Sequence, residues 1–207
     1  MVTDTEPDTR PSPRCAPRER ATDAVVIERS LREPERFAHV FDRYYAEVHA
    51  FVARRLGHSL ADDVASETFV IAFDRRRRYD LAHPNARPWL YGIASNLIAR
   101  HRRAEVRQYR ALARAGIAPP ADSDAEHVAG RVDARALRAR LATALLQISE
   151  RDREVLLLVA WAQLSLEEAA QALGIASGTA RSRLHRARRK TRAALADDDS
   201  PKEKDER

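Results

Sequence analysis

From Ser30 to about Arg110 the apolar residues recur at spacings of three and four, with almost no glycine and no β-branched runs, which predicts helices. Phe37, Phe41, Tyr44 or Tyr45, Val48 and Phe51 form a wide stripe opposite Arg36, Arg43 and Glu47, and Gly57 ends that helix. A second helix from about Leu60 offers Val64, Thr68, Ile71 and Ala72 to a core and turns Asp62, Asp63, Ser66 and Glu67 to solvent. Its acidic first turn suits the helix dipole. The period then breaks over 75–86, where four consecutive arginines precede Tyr79, Pro84 and Asn85, so a loop is expected. Pro88, a good first-turn residue, opens a third major helix.

Gly116, Pro119, Pro120, Ser123 and Gly130 mark residues 111–133 as a linker. Beyond it, Leu137, Leu141, Leu145 and Ile148 predict one helix and Val155 to Trp161 another, the latter behind Ser149, which with Asp152 makes an S-x-x-D start signal. Pro7, Pro11, Pro13 and Pro17 lie among mixed charges in residues 1–28, which bury too little to offset the entropy of ordering. The charged residues 197–207 read the same way. The expected fold is all-α: two small helical domains, 29–110 and 134–196, joined by a flexible linker, with disordered tails.

Composition narrows the function. The net charge of +6 is carried almost wholly by arginine, since Lys190, Lys202 and Lys204 are the only lysines. From Asp74 to Arg110 there are ten arginines against Asp74, Asp80 and Glu105, and from Ser177 to Arg192 seven basic residues and no acid. Two basic clusters point to two polyanion contacts. Cys15 is the only cysteine, so neither an intrachain disulfide nor a cysteine-based zinc site can form. The longest apolar run, Val155 to Ala162, is less than half a membrane span, and the N-terminus lacks a signal-peptide core; a cytoplasmic protein without membrane insertion is expected. The histidines show no i, i+4 pair, and no phosphate loop or nucleophile elbow is present. No catalytic residue, metal or cofactor is expected, and the chain reads as a binding protein rather than an enzyme.

The strongest local signal lies near the C-terminus. Ser165-Leu166-Glu167-Glu168 is a capping box, Ala169, Ala170, Ala172 and Leu173 follow, and Gly174 stands where a left-handed turn residue is needed. Either Ala176 or Ser177 caps the next helix. At 100° per residue, Ala180, Leu184, Ala187, Thr191 and Leu195 form one narrow stripe for the core. Opposite it lie Ser182, Arg186 and Arg189, flanked by Gly178, Thr179 and His185, a donor set suited to base edges and phosphates in a major groove. Arg181, Arg183, Arg188 and Lys190 sit to the sides, toward phosphate. An amphipathic helix with a basic solvent face is the plainer reading; the capped short helix and the glycine turn favour a helix-turn-helix.

LSLEEAAQALGIASGTARSRLHRARRK resembles the promoter-reading domain of extracytoplasmic-function sigma factors, in the sigma-70 family of bacterial RNA polymerase, and SERDREVLLLVAWAQ before it is similar to the same family. Response-regulator domains of the LuxR type share part of this skeleton, but S-R-L-H-R-A-R is the sigma-like continuation. Ala61-Asp62-Asp63-Val64-Ala65-Ser66-Glu67-Thr68-Phe69-Val70 resembles the family's core-binding helix, which docks on a coiled coil of the polymerase's largest subunit; Ser66 replaces the usual glutamine. Arg87-Pro88-Trp89-Leu90-Tyr91-Gly92-Ile93-Ala94-Ser95-Asn96-Leu97-Ile98-Ala99-Arg100 resembles the segment that reads the −10 element.

The resemblance implies a sigma factor. Asp62, Asp63, Ser66, Glu67 and Thr68 would bind core polymerase, which also offers its flap. Arg87, Trp89, Tyr91, Asn96, Arg100 and Arg103 would serve the −10 element, and Ser177, Gly178, Thr179, Arg181, Ser182, Arg183, His185, Arg186 and Arg189 the −35 element. Leu90, Ile93, Leu97 and His101 share one side of the −10 helix, which places Gly92, Asn96 and Arg103 toward the other. Trp89 and Tyr91 are equally readable as strand-opening aromatics or as core, and Tyr79, in the basic loop, is the freer stacking candidate. The linker would thread through polymerase rather than pack, leaving domain placement to the partner. An anti-sigma partner follows from the resemblance alone. The rival readings are a helix-turn-helix regulator that does not join polymerase and, from another class, a nucleic-acid-modifying enzyme, for which the motifs are missing.

Overall fold

A computed structural model describes residues 21–114, 145 and 147–196, and among these every regular element is helical. Helices α1 (Asp23–Ser30), α2 (Ala38–Leu56), α3 (Ala61–Arg75) and α4 (Arg87–Arg114) form an N-terminal unit. Helices α5 (Glu150–Ala160), α6 (Leu166–Leu173) and α7 (Ser177–Ala196) form a C-terminal one. Short 3-10 turns at Pro34–Phe37 and Arg76–Arg78 precede α2 and follow α3. Most of the expected linker, the helix through Leu137 and Leu141, and residues 1–20 and 197–207 lie outside the described residues.

α1 corrects the N-terminal boundary. It lies largely within the stretch read as tail, yet Val26 and Ile27 are buried in the core. Asp23 is buried with them, and its carboxylate accepts hydrogen bonds from Arg43, from the Tyr44 hydroxyl at 2.6 Å and from the Ala86 backbone N–H at 2.8 Å. A buried carboxylate is tolerable when so fully partnered. Prolines and arginines nearby hid the two apolar residues that make the helix worth ordering. Burial first, and the neighbouring Asp23 carboxylate second, push the Tyr44 hydroxyl well above its ordinary pKa.

α2 turns Val40, Val48, Phe51 and Val52 inward, and Gly57 ends it at a positive φ of 84°. Phe41, expected in the core, is 39% exposed and stacks on Tyr45 at 4.7 Å. Phe37 belongs to the preceding 3-10 turn, and Phe41, which at 100° per residue shares the arc of the buried Val48 and Val52, packs edge-on against Phe69 at 5.0 Å while staying part exposed. α4 spans 28 residues, about 42 Å at 1.5 Å per residue, and runs four residues past the boundary expected at 110.

The two units pack directly on each other. One apolar cluster runs from Val48, Phe51, Leu90 and Ala94 in the first unit to Leu158, Ala162, Leu164 and Ala169 in the second. α6 lies against α4 so closely that a Cβ added to Gly92 would stand 2.4 Å from the Ala172 carbonyl oxygen. Beside this contact, Arg55 grips Glu154 through both terminal nitrogens at 3.1 and 2.8 Å, and Arg102 donates to the Arg55 carbonyl at 2.9 Å. Burial, then the charges of Arg55 and Arg153, lower the Arg102 pKa. The sequence pattern gives no sign of this packing. Glycine on α4 and alanines on α6 let two backbones approach, and the contact joins residues too distant in sequence for periodicity to reveal.

Candidate nucleic-acid interface

The helix-turn-helix forms from local rules. Ser165 accepts from the Glu168 N–H while the Glu168 carboxylate accepts from the Ser165 N–H, closing the capping box at 3.1 and 2.8 Å. Gly174 adopts the left-handed conformation (φ 61°, ψ 37°), and its N–H and that of Ile175 return to the Gln171 and Ala170 carbonyls at 3.1 and 3.0 Å. This glycine-ended turn stops α6 after eight residues and aims the chain into α7. Ala180 donates its N–H to the Ala176 carbonyl, so Ala176 holds the cap position and Ser177 is the first helical residue.

α7 presents two faces. Ala180, Leu184 and Ala187 are buried against α5 and α6, Thr191 is half-buried, and the side chain of Leu195 lies outside the described residues. Ser177, Gly178, Thr179, Arg181, Ser182, His185, Arg186 and Arg189 are exposed together, while Arg183 is half-buried at the edge. Ser182 donates to the Gly178 carbonyl at 3.0 Å, which leaves its oxygen lone pairs free to accept. A Cβ on Gly178 would meet nothing within 4 Å, so packing within the protein does not demand glycine there.

Arg186 differs from its neighbours. Its Nε and Nη2 donate to the two carboxylate oxygens of Asp152 on α5, at 3.2 and 2.9 Å. The Arg186 hydrogen bond is the main reason the Asp152 carboxyl lies below the usual carboxylate range, against an opposing effect of burial. Sequence reasoning used Asp152 only as a start signal for α5. That role is real, since its backbone N–H donates to Ser149 Oγ at 3.3 Å, but it left the carboxylate unassigned.

The second basic region is less open. Asn96, Arg100 and Arg103 are exposed on one side of α4, with Arg100 paired to Glu67 of α3 at 2.6 Å. Gly92, expected on that side, is buried under α6. Tyr91 is 2% exposed and meets Phe51 edge-on at 5.1 Å, whereas Trp89 is half-buried and lies 5.0 Å from the Tyr79 ring. Tyr79 is not a free stacking residue: it is buried and donates its hydroxyl to the His83 carbonyl at 2.6 Å. Burial pushes the Tyr79 hydroxyl pKa up to about 12. The chain folds back after the 3-10 turn, carrying this ring under Trp89 and leaving Leu81, Ala82 and His83 outside. Arg87 pairs with Glu47 at 2.8 Å, and Arg76 turns inward over the Phe73 ring at 3.7 Å. Arg75, Arg77 and Arg78 stay exposed.

On α3, Asp62, Asp63 and Ser66 are exposed and Glu67 half-exposed, but Thr68 is fully buried and donates to the Val64 carbonyl at 2.7 Å. Four of the five residues expected to meet a partner thus share a face; Thr68, one helical turn from Val64, points into the core. Val70, 60% exposed, and Phe41 add apolar surface that an acidic-helix reading overlooks. Unlike the acids, each is conspicuous only once its neighbours in space are known. Among the described residues there is no cluster suited to a metal and no helix long and apolar enough to cross a membrane.

Comparison with known proteins matches both units. Residues 40–108 fit the model of sigma-70 region 2, and residues 138–191 that of sigma-70 region 4. The chain is 34% identical to the RNA polymerase sigma factor CarQ of Myxococcus xanthus over 170 residues, covering 78% of this chain and 90% of that one. It is 32% identical to the ECF RNA polymerase sigma factor SigL of Mycobacterium tuberculosis over 158 residues, 75% of this chain and 86% of the relative. Among solved structures it is similar to CnrH in complex with the cytosolic domain of CnrY, with a TM-score of 0.58, 28% identity, and coverage of 86% of this chain and 99% of that one. It is also similar to the sigma factor RpoE in complex with the anti-sigma factor NepR from Bartonella quintana, with a TM-score of 0.58, 26% identity, and coverage of 77% and 96%.

Proposed function

The chain belongs to the extracytoplasmic-function sigma factors of the sigma-70 family, which direct promoter-specific initiation by RNA polymerase, and from that premise we propose a division of labour among its surfaces. The exposed N-terminal half of α7 reads the −35 element, with Arg181, Ser182, His185 and Arg186 at the base edges and Arg188, Arg189 and Lys190 on phosphates. Asn96, Arg100 and Arg103 of α4, with the exposed arginines and Leu81 of the preceding loop, hold the −10 strand. The α3 face of Asp62, Asp63, Ser66 and Glu67 docks on the largest subunit of core polymerase. The chain supplies positioning and strand capture, and the chemistry of RNA synthesis stays with the polymerase. Its place is the cytoplasm, where polymerase and promoter are.

The observation that carries this reading is the cluster of exposed donors on α7 opposite its buried stripe. Run-off transcription with purified core polymerase over a random-promoter library tests it. Initiation restricted to promoters sharing two separated sequence elements is expected; no initiation above core alone would sink the reading.

The docked arrangement bears on how the protein works. Elements centred near −35 and −10 lie about 25 base pairs apart, about 85 Å along B-form DNA at 3.4 Å per step. Helices in contact sit about 8–10 Å apart, so α4 and α7, separated only by α6, cannot span that distance while docked. The units therefore separate on joining polymerase. We infer an anti-sigma protein as a further partner, in keeping with the similar complex of RpoE with the anti-sigma factor NepR.

A further inference from the structure

We propose that Asp152 is a positioning residue for promoter readout, holding Arg186 side-on so that the guanidinium is set in advance to present its outer edge to a guanine. This rests on the assignment of −35 readout to α7 made above. Asp152 stands on α5, 34 positions away in sequence, with its side chain only 8% exposed, whereas that of Arg186 is 48% exposed. The carboxylate is thus turned inward and the guanidinium lies at the border of the exposed donor face.

The way the pair meets decides what remains available. A guanidinium carries five N–H donors in a rigid fork. The bonds at 3.2 and 2.9 Å use Nε–H and one hydrogen of Nη2. Three donors are left, and among them are the Nη1 and Nη2 hydrogens of the outer edge. That edge is the pair which matches guanine O6 and N7. An end-on grip by Asp152 would have consumed it. Because one orientation is selected before DNA arrives, less side-chain freedom is lost on binding.

A purely structural brace is the competing role, and the packing makes it dispensable. Val155, Ala180 and Leu184, with Leu156 and Ile175 against them, already join α5 to α7. Arg186, being exposed, regains water if the carboxylate is removed. Asp152→Asn keeps the shape of the side chain and its backbone cap to Ser149 while weakening the grip, so it changes orientation with little demand on folding.

The test uses the full chain assembled with core polymerase, on promoters carrying the selected −35 sequence or the same sequence with its guanines replaced. The ratio of the two affinities is the readout. Arg186→Ala and Asp152→Asn are each expected to lower the ratio by about tenfold, and the double variant by no more than either alone. Thermal midpoint and affinity for core polymerase should be unchanged by Asp152→Asn. Loss of the ratio in Arg186→Ala but not in Asp152→Asn overturns the positioning role and leaves the −35 reading intact. An unchanged ratio in Arg186→Ala overturns the reading of Arg186 itself. Equal weakening on both promoters by Asp152→Asn makes the pair a brace only and also overturns the proposal.

Discussion

The two helices assigned to promoter contact are built from similar material and end in opposite situations. α7 buries a stripe of Ala180, Leu184 and Ala187 and leaves most of its described surface open. α4 is enclosed on more than one side: Leu90, Ala94, Leu97 and Ile98 enter the core, and Gly92 is covered by α6. Between Leu90 and Arg103 only Asn96, Arg100 and Arg103 are exposed. Basic, donor-rich sequence therefore marks where DNA contact is possible in both regions, but it does not say which face is free. The open face of α4 is what α2, α3 and α6 together leave uncovered.

The contrast can be broken at the docking contact. Glu154→Ala should have the largest effect, because Arg55, whose side chain is 3% exposed, would lose its partner inside the interface. Breaking a buried pair costs about 3 kcal/mol. Arg55 can escape that cost by undocking, so thermal unfolding should split into two transitions and small-angle scattering should report a larger radius. One cooperative transition at an unchanged radius would show that the pair does not hold the units together. Gly92→Ala comes next. A methyl 2.4 Å from a backbone carbonyl forces the helices apart, at about 1–3 kcal/mol, and the same scattering measurement should detect the opening. An unchanged radius there would place the close approach of α4 and α6 outside what maintains docking.

Two further variants sharpen the difference instead of removing it. Asn96→Ala should lower discrimination at the −10 element by about fivefold or more without altering docking, since Asn96 is exposed on α4 away from α6. A ratio of initiation between promoters with and without the −10 sequence change that is the same in the variant as in wild type would reject Asn96 as a reader. The smallest effect is expected at Gly178. Gly178→Ala should raise the stability of α7 by about 0.5 kcal/mol, because a Cβ there meets nothing, while weakening −35 binding if bare backbone is needed close to DNA. Stability and affinity rising together would mean that DNA does not approach this position closely.

The sequence by itself determined the all-helical class, the two family-like regions and nearly the whole architecture of α6 and α7. Those features rest on interactions within a few residues: the Ser165–Glu168 box, the left-handed Gly174 and the 3.6-residue period of the buried stripe. Near neighbours along the chain carry that information. Tertiary structure decided the features whose partners are far away. Asp23 made a helix out of an apparent tail by meeting Arg43, Tyr44 and Ala86. Tyr79 left the basic loop to lie against Trp89. Gly92 is itself a signal in retrospect, since a glycine inside a helix sacrifices about 1 kcal/mol relative to alanine and calls for a reason such as close packing. The reason is Ala172, 80 positions away and brought within reach only by the fold.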